Sequence, residues 1–100
     1  MKLIVLPSAE QRLRLIIDYY HAMAGAKVAA KIKNRLLGRL GDLMQRPRSG
    51  ALEIHLEKEG KSHRRLIEGN YKIVYFIDGD VIVVTDFFDA RRDPKEMTSS

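Results

Sequence analysis

Between Glu53 and Lys72 the chain places Glu53, His55, Glu57, His63, Arg65 and Lys72, with Phe76 close behind. Carboxylates, imidazoles and fixed cations are what cleavage of RNA by its own 2′-hydroxyl requires: a base for the 2′ proton, an acid for the departing 5′ oxygen, and cations for the charge building on phosphorus. In that scheme Glu57 or His55 is the base, His63 the acid, and Arg65 and Lys72 the cations, with Phe76 free to stack. General acid–base help is worth about 10²- to 10⁴-fold, so positioning has to supply much of the rest. The same residue types also furnish the wet face of any half-exposed sheet, and that reading stands beside the catalytic one. His21, near the end of a helix, reads as a surface or capping residue. There is no credible nucleophile triad, glycine-rich phosphate loop, or HxH or HExxH spacing, so neither a metal nor an organic cofactor is expected.

The elements that must position these groups follow from hydrophobic period. Lys2 to Leu6 is a short apolar run stopped by Pro7, the pattern of a first strand (1–6). Ser8 with Gln11 has capping-box spacing and starts a helix over 8–24, on which Leu13, Ile16, Ile17, Tyr20 and Met23 share one face. Gly25 marks the break before a second helix, 26–46. Its inner side carries Ala29, Ile32, Leu36, Leu40, Leu43 and Met44, and Arg46-Pro47 ends it because a residue before proline disfavours helical geometry. The period then drops to 2. Residues 51–88 read as four antiparallel strands: Ala51–Glu57, Ser62–Glu68, Tyr71–Ile77 and Val81–Phe88, with turns at Gly60, Gly69-Asn70 and Asp78-Gly79. A charged tail, 89–100, is expected to be partly mobile. The resulting fold class is α+β in the order β-α-α-β-β-β-β, one domain with a helix hairpin packed on one face of a mostly antiparallel, twisted sheet.

The short Gly69-Asn70 turn fixes register, setting Glu68 opposite Tyr71, Ile67 opposite Lys72, Leu66 opposite Ile73 and Arg65 opposite Val74. Leu66, Tyr71, Ile73, Tyr75, Ile77, Ile82 and Val84 then face the helices. His63, Arg65, Lys72, Val74, Phe76, Val83 and Thr85 face away, joined by Glu53, His55 and Glu57 from the preceding strand.

A length of 100 residues supports one domain, and 45% hydrophobic with 31% charged residues describes an ordinary globular chain. No apolar run approaches the roughly 20 residues of a membrane helix, and the opening segment is too short for a signal-peptide core, so a soluble, cytoplasmic protein with no membrane partner is expected. Zero cysteines exclude disulfides and thiolate chemistry and suit a reducing compartment. The net charge of +5 is unevenly spread: residues 1–50 carry 10 Lys or Arg against 3 acids, residues 51–100 carry 8 against 10. From Lys27 to Arg48, Asp42 is the only acid among Lys27, Lys31, Lys33, Arg35, Arg39, Arg46 and Arg48. Such an element favours an acidic partner or a polyanion, or is simply the solvated side of a helix.

The segment RRLIEGNYKIVYFIDGDVIVVTDFFDARRDP, Arg64 to Pro94, resembles the C-terminal half of the RelE/ParE superfamily of type II toxins, with its arginine-rich strand, G-x-Y-x-I-x-Y-like hairpin, acidic turn, apolar strand and closing Arg-Asp-Pro element. The opening MKLIVLPSAEQRLRLIIDYY is similar to that family's first strand and helix, and LLGRLGDLMQRPRSG to its second helix running into P-x-x-G. The resemblance implies the same β-α-α-β-β-β-β fold. Its nuclease branch cleaves mRNA in the ribosome, and matching positions put that site on His63, Arg65, Lys72 and Arg91, with Glu57 added from the polar face. Its ParE branch poisons DNA gyrase. Lys72 stands where the nuclease branch usually has arginine, which loses the bidentate fork for phosphate, and Ala90, Arg91, Arg92 and Met97 occupy the region where nuclease members carry a tyrosine or histidine. The chain is therefore closer to ParE, a plasmid-stabilisation-type toxin that arrests growth. The resemblance further implies a cognate antitoxin whose disordered segment folds around the toxin, in a heterotetramer or beside a toxin homodimer. Lys31, Arg35, Arg39, Arg91 and Arg92 are the candidate residues for binding antitoxin or target.

Overall fold

The computed structural model describes residues 1–100. Strand β1 (Lys2–Val5) leads into helices α1 (Pro7–Ala24) and α2 (Ala26–Gln45), followed by β2 (Ala51–Leu52), a 3₁₀ helix (Ile54–Glu59), β3 (Arg64–Glu68), β4 (Tyr71–Asp78), β5 (Val81–Asp89) and a short 3₁₀ turn (Pro94–Glu96). The five-stranded sheet has the order β1-β5-β4-β3-β2, with β1 parallel to β5 and every other pair antiparallel. No helix is long and apolar enough to cross a membrane.

The helix hairpin forms where the two apolar faces predict it. Gly25 takes φ +91° between α1 and α2, a left-handed conformation that glycine adopts without a Cβ penalty. Ile16 of α1 and Leu36, Leu40 and Leu43 of α2 are buried against Leu66, Ile73, Tyr75, Ile82, Val84 and Phe87 of the sheet. Each such burial contributes about 1.5–3 kcal/mol. Met23 and Met44, expected on these inner faces, are exposed: Met44 follows the fully buried Leu43 and is turned about 100° away from it, and Met23 continues the outer line of Leu15 and Tyr19. Ser8 is not the N-cap: α1 begins at Pro7, whose missing N–H costs nothing in a first turn, and Leu6 holds the cap position without a side-chain bond.

At the α2 exit a tyrosine hydroxyl bridges the backbone on both sides of the turn. Tyr75 Oη donates to the Pro47 carbonyl (2.7 Å) and accepts from the Gly50 amide (3.0 Å). A Cβ on Gly50 would sit 2.6 Å from that hydroxyl and 2.7 Å from the Arg65 carbonyl oxygen. The glycine three residues after the helix-stopping proline is thus required by the tyrosine hydroxyl and the Arg65 backbone, whereas the tyrosine uses only the backbone carbonyl of Pro47.

In the sheet, the β3–β4 register is the expected one throughout, Glu68 opposite Tyr71 to Arg65 opposite Val74. Three local expectations are corrected. The second hairpin turns on Gly79-Asp80, since Asp78 pairs with Val81 and Gly79 supplies the positive φ at the first turn position. The strand expected over 51–57 stops at Leu52: the Glu53 carboxylate accepts the His55 amide and the chain winds into the 3₁₀ helix, leaving Ile54 exposed while Leu56 is buried. The tail is not free; Met97 is buried with Leu56, Val74 and Phe88 in a second, smaller core on the sheet's other face.

A β-bulge decides which face β5 shows. Tyr75 pairs with Val84 but Val74 with Asp86, so Thr85 is the extra residue. Beyond it the parity of side chains inverts: Phe87 joins Ile73 on the helix side, and Phe88 lies opposite Lys72 on the other.

Candidate functional site

The polar face assembles around Glu53. It is 2% exposed, with Oε1 3.1 Å from Lys72 Nζ and 3.7 Å from Arg65 Nε, and Arg65 also donates to the Leu52 carbonyl. Burial pushes the Glu53 carboxyl up, but the His55 amide, Lys72 and Arg65 together outweigh it and hold the group below the usual carboxylate range. Three of the expected residues are therefore together: the register brings Arg65 and Lys72 to one face, and both cations share the single Glu53 carboxylate, which leaves the cluster a net charge of +1.

His63 joins this face but is sealed. It is 1% exposed, its ring lies edge-on to Phe76 at 5.1 Å, and Nε2 is 2.9 Å from the Ser99 carbonyl oxygen. The neighbouring Thr98 amide donates to Asp86 Oδ2 (2.8 Å), so residues 97–99 lie across the site like a strap. Asp86 is itself buried, which pushes its carboxyl up against the Thr98 hydrogen bonds. Its other oxygen lies 3.4 Å from Arg12 Nε without hydrogen-bond alignment. Glu57 and His55, by contrast, stand in solvent on the 3₁₀ helix. Phe76 is not a free platform, since Lys61 Nζ sits 4.8 Å from its ring centroid.

Arg91 is separated from Lys72 by the sheet. Its guanidinium grips Asp89 with two bonds of 2.9 and 2.8 Å, and this fork holds the Asp89 carboxyl below its ordinary value. Asp89 pairs with Tyr71, which faces the helices, donates to Tyr20 Oη (3.2 Å) and is raised far above the usual phenol range by burial and that bond. The Thr85 bulge is the cause: without the extra residue Asp89 would fall on the Lys72 side.

The helix side carries a surface of another kind. Leu15, Tyr19 and Met23, at i, i+4 and i+8, stay 56%, 58% and 70% exposed and form an apolar stripe on α1. Beside it runs an open groove of about 480 Å³ bordered by Arg12, Tyr71, Arg91 and Arg92. Arg92 pairs with Glu96 (3.1 Å), and Arg39 is drawn to Asp42 (2.9 Å) and Glu68 (3.8 Å). Lys27, Lys31, Lys33 and Arg35 project from α2 with no carboxylate partner. The sequence reading missed the α1 stripe because it sought a single buried face; Leu15, Tyr19 and Met23 at four-residue spacing were its available signal. No group of three His, Asp or Glu side chains is arranged to hold a metal.

A helix hairpin on one face of a five-stranded sheet, with the C-terminal residues 97–99 folded over the other face, is a small α+β fold of the RelE/ParE toxin type. Residues 3–94 match the family described as ParE toxin of type II toxin-antitoxin system, parDE, and the chain belongs to that family. Among solved structures, a chain of the chromosomal ParDE TA system from P. aeruginosa has the same fold, with a TM-score of 0.74 at 22% identity over 89% of this chain and 95% of that one. No curated protein sequence matches the chain.

Proposed function

We propose that this toxin binds DNA gyrase and stalls it on cleaved DNA, and that a cognate antitoxin neutralises it by covering the helix side. The observation that carries gyrase binding over RNA cleavage is the state of the polar face: His63 lies beneath residues 97–99, Glu53 occupies Arg65 and Lys72, and Arg91 is across the sheet. A toxin that acts by occupying its target needs no acid–base pair, and Glu53, Arg65 and Lys72 then serve the fold. The purified chain, added to gyrase and relaxed plasmid, is expected to block supercoiling and to accumulate protein-linked linear DNA. His55→Ala with Glu57→Ala should leave that activity intact. Cleavage of mRNA in ribosomes, with gyrase unaffected, would instead support the nuclease branch and return attention to Arg65, Lys72 and Arg91.

The antitoxin segment suited to the helix side is acidic and amphipathic. Its apolar residues meet Leu15, Tyr19 and Met23, and its carboxylates meet Arg91 and Arg92 at one end and Lys31 and Arg35 along α2. Lys31 and Arg35, whose charge has no local partner, draw such a segment in, Arg91 and Arg92 exchange Asp89 and Glu96 for its carboxylates, and apolar area holds it. Leu15→Asp with Tyr19→Ala should weaken antitoxin binding, measured by calorimetry, while leaving gyrase inhibition in place.

A further inference from the structure

One charged surface serves neither the core nor the helix-side groove. At the end of the sheet remote from Arg91, an open trough of about 870 Å³ is bordered by Arg48, Lys61 and Arg64, with Asp78 its only acid and Phe76 among its few apolar residues. None of these three cations has a carboxylate partner. Arg64 is fixed instead by backbone: Nη1 donates to the Gly50 carbonyl (2.8 Å) and reaches the Arg48 carbonyl (3.4 Å), which orients the guanidinium and leaves its other donors unused. Lys61 is carried over the Phe76 ring by a loop that turns at Gly60 (φ +74°) and Ser62 (φ +54°). A left-handed serine is uncommon, and such conformations concentrate where a binding surface needs a particular backbone path.

From this juxtaposition we infer that the trough binds single-stranded nucleic acid, with Arg48, Lys61 and Arg64 on successive phosphates and Phe76 taking a base once Lys61 swings from the ring to a phosphate. An oriented guanidinium suits a phosphate oxygen pair. Lys61 over the Phe76 ring, with Arg48 and Arg64 bordering the same trough from the helix side of the sheet's end, offers a crossing strand the backbone charge and base stacking by which unpaired strands are held. The three apolar residues Leu52, Phe76 and Ile77 among ten lining the trough are too few for an amphipathic peptide. The inference stands whether or not gyrase is the target, since it concerns the nucleic acid itself.

The test is fluorescence anisotropy with a labelled 15-nucleotide thymidine oligomer, titrated with the full chain between 50 and 200 mM KCl. Arg48→Ala with Lys61→Ala is expected to weaken binding about tenfold or more and to flatten the plot of log affinity against log salt by about 1.4, roughly 0.7 for each lost phosphate contact on a single strand. Both side chains are exposed, so the fold should persist, checked by circular dichroism. Lys27→Ala with Lys31→Ala removes the same net charge from α2 and should change affinity less than about twofold if the trough, and not overall charge, does the binding. Phe76→Leu should weaken the oligomer about fivefold or more through lost stacking. Equal losses from the two double variants, tighter binding of a duplex of the same sequence, or no salt-dependent binding at all would each overturn the assignment.

Discussion

Glu53 is buried and touches Lys72 and Arg65, whereas Lys27, Lys31 and Arg35 on α2 stand in solvent with no carboxylate beside them. In the sequence the two regions look alike, each a run of charged residues on one side of a regular element. In the fold, the first has been largely desolvated, with both cations tied to one buried carboxylate, so it cannot meet a substrate without loosening that contact. The second keeps its charge for a partner. Charge that a fold has already neutralised is evidence about stability; charge left unpaired is evidence about binding.

The sharpest way to break that contrast is to remove the buried acid. Glu53→Ala leaves Lys72 and Arg65 partly buried without a counter-charge and should cost about 3–4 kcal/mol, read as a shift in urea midpoint with an unchanged slope. Gly50→Ala forces a methyl group against the Tyr75 hydroxyl and the Arg65 carbonyl and should cost about 3 kcal/mol, the upper end for overpacking, because one of those neighbours is backbone. Met97→Ala empties part of the second core and should cost about 2 kcal/mol; a loss near zero would mean that the strap over His63 is not held.

Acid sharpens the contrast further. Glu53 titrates below its unfolded value, so its stabilisation is complete above the unfolded pKa, about 4.3, and is lost as pH falls through the folded value. The stability gap between wild type and Glu53→Gln should therefore close on acidification. Asp86 has the opposite sign: its folded pKa is raised, so its burial costs stability at neutral pH and that cost fades as pH drops through the folded value. Asp86→Asn should be relatively most stable at neutral pH, with its advantage shrinking in acid; denaturation of both variants from pH 7 to pH 3 checks the two signs together. The smallest effect belongs to α2, where Lys31→Gln with Arg35→Gln should move stability by no more than about 0.5 kcal/mol while weakening antitoxin binding. A loss comparable to that of Glu53→Ala would erase the difference between the regions.

How far the site was legible depended on the range of the forces involved. The β3–β4 register could be read because a two-residue turn leaves the flanking strands one pairing, and that register does bring Arg65 and Lys72 onto one face. The 3₁₀ helix could not, since Leu52, Ile54 and Leu56 alternate as well as any strand. What overrides that pattern is distant in sequence: Lys72 for the Glu53 carboxylate, and Val74, Phe88 and Met97 for Leu56. The docked tail was hidden for the same reason, its anchors being His63 and Asp86.

Periodicity, turn chemistry and motif spacing are local properties, and from them alone follow the order of elements, the helix hairpin broken at Gly25, the stop at Pro47 and the family to which the chain belongs. Which charged residues remain available depends on long-range packing. VIVVTDFF is too uniformly apolar to announce a bulge at Thr85, yet that one extra residue turns Asp89, and Arg91 with it, to the face opposite Lys72. Whether a carboxylate or a histidine is wet is likewise a matter of what long-range packing lays over it.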